Sequence, residues 1–244
     1  MPTTSVLQFL NFGDRYERRA RLYPAVIAIL PVIVCVTAVT NPREHLLTSL
    51  GLGGGTGAVL GLIMSHAARA FGKDFERRLW KQCNGAPTTR WLRPSDTTHS
   101  EPQKKQWYKA IDKLTGLDIS KAVVTESDSR ENDRIIEDAI RQLRYTLRDR
   151  KQSRMVQLHN EEYGFARNLA GLRWVLVGTS TLGTLVCAAA FLFNAQPLAG
   201  LFVDGGLLMA SIAALPYFPW YARQCADRYA ESLLSMAVIS AKLK

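Results

Sequence analysis

The chain has 244 residues, 31 Lys and Arg against 21 Asp and Glu, and a net charge of +10. On a soluble chain that excess would point to nucleic acid, but here the apolar residues fall in four blocks with the charges between them, so nucleic acid is not expected as the main partner. Cys35, Cys83, Cys187 and Cys225 have neither disulfide-framework nor metal-ligand spacing, and His45, His66, His99 and His159 are scattered singly, so no metal and no cofactor are expected.

Residues 1–21 form an N-terminal amphipathic arm. The first apolar block follows its arginines and has no cleavage site behind it, so it reads as a retained span rather than a signal peptide. About 20 apolar residues cross a membrane as a helix, because lipid forces the backbone to satisfy itself. Four blocks meet that length: Leu22–Thr40, Leu46–Ala67, Trp174–Asn194 and Leu198–Trp220. None holds a Lys or Arg. Pro31 should kink the first, and Pro216 with Pro219 should break the end of the fourth. Asn41 to His45 and Ala195 to Pro197 are turn-forming connectors. The spans therefore pair as hairpin 1, residues 22–67, and hairpin 2, residues 174–220.

Of the 31 basic residues, Arg43 alone lies in a hairpin turn. The positive-inside bias thus places both termini and the central segment in the cytoplasm, and the expected location is a bacterial inner membrane, N-in and C-in. Tyr23, Trp174, Tyr217, Trp220 and Tyr221 stand at the cytoplasmic boundaries, where amphipathic rings anchor.

Span two carries Ser49, Gly53, Gly57, Gly61 and Ser65 at intervals of four, and span four carries Gly206, Ala210 and Ala214. Such rows let helix backbones approach closely, within one chain or between copies. The Gly51–Gly57 run resembles a nucleotide loop only superficially: no strand precedes it and no Lys follows. Asp204 is the only acid inside a span, either a functional group or a residue that reaches water beside Gly205 and Gly206.

Residues 68–173 form a small cytoplasmic module, expected to be mostly helical. Phe71–Arg78 nearly repeats Phe12–Arg19, and both read as basic amphipathic helices suited to lipid headgroups. Asn84 to Pro87 stops the first helix, and Thr88–Ser100 reads as a polar loop. A helix over 101–116 follows, then a connector over 118–129 with strand potential at Ala122 to Val124. Ile136, Ile140, Leu143 and Leu147 mark a long amphipathic helix, weakening near Arg148–Arg154. A last helix over 155–172 leads into span three. Residues 221–244 form a C-terminal amphipathic helix of the same interfacial kind, with Tyr221, Cys225, Tyr229, Leu233 and Met236 on one face. The fold class is all-α: four transmembrane helices in two hairpins with the helical module between them.

Two motifs stand out, Gly85-Ala86-Pro87-Thr88-Thr89-Arg90-Trp91-Leu92-Arg93 and Tyr163-Gly164-Phe165-Ala166-Arg167-Asn168-Leu169-Ala170-Gly171-Leu172, with Leu147-Arg148-Asp149 between them. Over about residues 80–175 the chain resembles a family of uncharacterised bacterial multi-spanning membrane proteins with GxPTTxxLR and YGFxRNLxGL motifs. It departs at Ala166, where the family usually has a second arginine, and the resemblance implies no particular activity. Read from the residues, Thr88, Thr89, Arg90 and Arg93, joined by Arg167 and Asn168, suit a phosphate or a lipid headgroup. The alternative is that the arginines pair with Asp96, Glu161 and Glu162 and fix the module in place.

No catalytic set is expected: His159, Glu161, Glu162 and Tyr163 cluster in sequence but no nucleophile with an orienting base accompanies them. The expected function is an oligomeric membrane effector, with the lipid bilayer and further copies of the chain as partners. Its cytoplasmic module would sense a signal or a cytoplasmic protein and open a pore or perturb the bilayer. A bacterial stress or phage-defence setting suits this layout by analogy. The alternative is an anchor or scaffold that recruits a cytoplasmic enzyme.

Overall fold

The computed structural model describes residues 15–39, 46–120, 129–148, 153–194 and 198–243. Among them every regular element is a helix, as the apolar blocks and 3.6-residue periodicities require. We label them α1 (Arg15–Val39), α2 (Leu46–Gln82), α3 (Pro87–Arg90), α4 (Glu101–Thr115), α5 (Ser129–Arg148), α6 (Arg154–Asn194), α7 (Leu198–Ala213) and α8 (Tyr217–Lys242). Two helices, α1 and residues Arg154–Phe193 of α6, are long and apolar enough to cross a membrane. The α7–α8 pair makes a third if counted as one broken span. By this measure the chain is a membrane protein. Most side chains of 46–67 lie outside the described residues, so that block does not enter the count.

Helix α1 runs on through Pro31, which is buried. The α7–α8 junction does break, with a bend of 59°. Residues 214–216 form turns ahead of α8, where Pro216 has no N–H to continue the ladder and the amides of Leu215 and Tyr217 bond three residues back. Pro219 falls in the first turn of α8, where a missing donor costs little.

The chain divides into two compact units, Met1–Arg77 with Gly164–Ala222, and Arg78–Tyr163 with Arg223–Lys244. In the first unit α6 is held by unusually close approaches. A Cβ on Gly164 would lie 2.8 Å from the Ala20 Cβ, and one on Gly171 would lie 2.6 Å from the Phe71 carbonyl carbon. Between them Asn168, fully buried, fills the notch left by Gly72 and donates its amide to the Ala20 carbonyl at 2.6 Å. Ala20 lies in a π-helical turn over Arg18–Leu22, where Tyr23 N–H reaches back five residues to the Arg18 carbonyl. That wider turn disturbs the regular ladder, and the Asn168 amide supplies a donor to one of its carbonyls. Further along, Ala28, Ala68 and Leu172 form a buried cluster, and Thr179 Oγ1 donates to the Ala28 carbonyl at 2.7 Å.

In the second unit α4 and α5 bury the stripes the periodicity predicts: Trp107, Tyr108, Ile111 and Leu114 on one, Ile136, Ile140, Leu143 and Leu147 on the other. Residues 121–128 of the connector, with the strand potential at Ala122 to Val124, and residues 149–152 lie outside the described residues. Asn84 (φ +56°) and Gly85 (φ +113°) turn the chain out of α2, where the sequence places its stop. Two expectations need correction. Thr88–Ser100 is not a simple polar loop: it opens with α3, and Thr88, Thr89, Trp91 and Leu92 are buried. The aromatic and aliphatic side chains outweigh the polar composition, and Tyr108 Oη donates to the Leu92 carbonyl at 2.8 Å. The C-terminal helix is likewise no free interfacial helix, since Cys225, Tyr229, Leu233, Leu234 and Ala237 are buried. Tyr163 stacks on Tyr229 at 6.2 Å, and Lys113 Nζ donates to the Ala241 carbonyl at 2.9 Å.

Burial, helped by the negative charge of Glu101, pushes the Tyr108 phenol from its ordinary value near 10 up to about 12. The unfolded phenol ionises first, so the stability this group contributes is fully present below about pH 10 and is lost as pH rises through about 12. An alkaline absorbance titration should show a late phenol that disappears in Tyr108→Phe. An unchanged last phase in that variant would refute the assignment.

Candidate functional site

The two motifs fall in different compact units. Thr88, Thr89, Arg90 and Arg93 belong to the second unit, Arg167 and Asn168 to the first. Arg93 grips Asp133 with two parallel bonds, Nε to Oδ1 at 2.7 Å and Nη2 to Oδ2 at 2.8 Å, and its Nη1 donates to the Asn84 carbonyl at 2.6 Å. That is bidentate carboxylate recognition, used here between α5 and the turn after α2. Arg90 lies 3.6 Å from Asp96. It also faces Asp227, whose carboxyl is raised by burial against the pull of Arg90 and Arg223. Arg167 Nη1 pairs with Glu76 Oε2 at 3.0 Å, and its Nε donates to Asn168 Oδ1 at 3.3 Å. Glu162 lies 3.9 Å from Arg228. Asp133, Glu76 and Asp227 were missed as partners because each is remote in sequence from the arginine it faces.

The small-residue rows also separate. Ser49, Gly53 and Gly57 have side-chain surroundings outside the described residues. Gly61 and Ser65 are buried, and a Cβ on Gly61 would touch Val26 and Ile29 at 3.7 Å, ordinary contact with α1. By contrast a Cβ on Gly206 meets nothing within 4 Å. Gly206 and Ala210 are exposed and Ala214 is half-buried.

The most unusual feature of the first unit is at Asp204. The expectation that it reaches water is not met: its exposure is 0%. Helix α6 turns a face of Ser180, Gly183 and Cys187 inward at intervals of three and four residues. Gly183 leaves the space the carboxylate occupies, for a Cβ there would lie 2.8 Å from Asp204 Oδ2. The Cys187 thiol donates to that same oxygen at 3.6 Å. Cys35 of α1 completes the group, and one ligand atom from each of Cys35, Cys187 and Asp204 lies within 4.8 Å of the others. No group among the described residues hydrogen-bonds Asp204 Oδ1 or the buried Ser180 hydroxyl. Spacing on span three could have shown the small polar face, but nothing in the sequence ties Cys35 to residues 152 and 169 positions further on.

No protein-family model, curated protein or solved structure matches the chain.

Proposed function

We propose that the protein is an oligomeric effector of the bacterial inner membrane. It has four spans in two hairpins, both termini inside, and a helical cytoplasmic module that receives a signal or a protein partner. The observation that carries this reading is the burial of Asp204 beside the thiols of Cys35 and Cys187 within the apolar helices. An acid inside a membrane helix is costly, and such residues commonly mark functional sites. A pure anchor has no use for it, whereas a protein that moves ions or reshapes its helix packing does. The exposed Gly206 and Ala210 support contact between copies, since small residues gain by packing on another helix and nothing among the described residues comes within 4 Å of a Cβ on Gly206. Helices α2, α6 and α8 each contribute residues to both units, the connectivity an effector needs. The asymmetry of Lys and Arg supports the orientation.

Induced expression in bacteria, followed by dye uptake and membrane potential, tests the reading. Wild type should depolarise the membrane, and Asp204→Asn and Gly206→Leu should weaken the effect about tenfold. A strictly monomeric protein that leaves permeability unchanged at every expression level would overturn it. Stable capture of one cytoplasmic enzyme without any permeability change would favour the anchor or scaffold instead.

A further inference from the structure

We infer that Cys35, Cys187 and Asp204 form a binding site for a thiophilic divalent cation of the zinc class, built from three helices inside the apolar bundle. Three observations converge. The ligand atoms come from α1, α6 and α7, far apart in sequence, yet all lie within 4.8 Å of one another. Zinc bonds of about 2.3 Å to sulfur and about 2.0–2.2 Å to oxygen put neighbouring ligand atoms roughly 3.5–4 Å apart. The Cys187 Sγ to Asp204 Oδ2 separation of 3.6 Å already has that value, so the site closes on an ion with small side-chain movements. Finally, Asp204 is 0% exposed and its Oδ1 has no partner among the described residues, so one of the three ligands carries a buried acceptor with nothing to satisfy it.

Charge and softness select the ion. Two sulfur ligands disfavour magnesium and calcium, which take oxygen shells. Binding displaces the thiol protons to solvent, so two thiolates and a carboxylate bring three negative charges. A divalent cation leaves one uncompensated and a monovalent cation leaves two, and buried charge is costly. Three protein ligands leave a fourth position open, as in sites whose ion reacts or exchanges rather than in closed structural sites. The site shares Asp204 with the effector reading but does not depend on it, because cation binding is a property of the resting protein.

The test uses the full chain purified in detergent without a polyhistidine tag, reduced, stripped with chelator and loaded with zinc or cobalt. About one zinc per chain should survive desalting, and cobalt should give thiolate charge-transfer bands. Cys35→Ser and Cys187→Ser should each weaken retention by about tenfold or more, while Cys83→Ser/Cys225→Ser should leave it unchanged. Folded wild type that retains no zinc and gives no thiolate–cobalt bands overturns the proposal, as does loss confined to the Cys83/Cys225 pair. If a serine variant fails to elute as a single species, the wild-type cobalt spectrum alone decides. Permeability is read in cells and zinc on isolated protein, so either reading can fail alone.

Discussion

Replacing Gly171 with leucine should prevent the first unit from packing. A Cβ at this position would lie 2.6–2.7 Å from the backbone of Phe71 and Gly72. Real Cβ atoms do not come this close, and the obstacle is main chain of another helix, which no rotamer change can move aside. Overpacking of a well-filled core costs about 1–3 kcal/mol and more when backbone must shift. We expect a loss of about 3 kcal/mol or more, with Gly171→Ala intermediate. Gly178 lies two turns on along the same helix, where an added Cβ meets nothing within 4 Å. Gly178→Leu should therefore leave thermal unfolding in detergent within about 0.5 kcal/mol of wild type, as for surface substitutions. Equal effects at the two glycines would refute the backbone-contact account.

The second large effect is expected at Lys104, whose ammonium is buried in the other unit. Its exposure is 0%, and Nζ donates to the carbonyls of Pro94 at 3.1 Å and Asp96 at 2.7 Å, with Arg93 at 3.4 Å. Glu101 adds an ion pair at 2.6 Å, but that carboxylate is 65% exposed. The lysine thus acts as a central pin for the segment between α3 and α4, satisfying carbonyls that no regular element pairs. Lys104→Met keeps the stem and removes the donors to three part-buried carbonyls, at roughly 1 kcal/mol for each hydrogen bond lost. A loss of about 3 kcal/mol is expected. Glu101→Gln should cost about 1 kcal/mol or less, as exposed pairs do. Thermal unfolding of both variants checks the ranking, and a Glu101 effect as large as that of Lys104 would show that the ion pair matters more than the carbonyls.

These two positions also mark what could not be read from the chain alone. Gly171 was visible as part of a motif, and Lys104 as one charge on a helix. Neither carried a sign of its role, because that role is set by backbone groups 100 and about ten residues away. The same holds for Arg93 and Asp133, for Arg167 and Glu76, and for Asn168 under the π turn at Ala20. A hydroxyl and guanidinium pattern suited to phosphate is equally suited to carboxylates, and only packing decides which one it meets.

The amino-acid sequence by itself determined what depends on local composition and period. It determined the all-helical class, the apolar blocks, the stop at Asn84 and Gly85, the break before Tyr217 and the buried stripe from Ile136 to Leu147. These are governed by neighbours within a turn or two of helix. Tertiary structure alone decided which side chains meet across helices. It closed Asp204 off from solvent, brought Cys35 and Cys187 to it, and buried the C-terminal helix that periodicity read as interfacial. An amphipathic face states that something covers it. Whether that cover is lipid or protein depends on which distant segments find room to pack there.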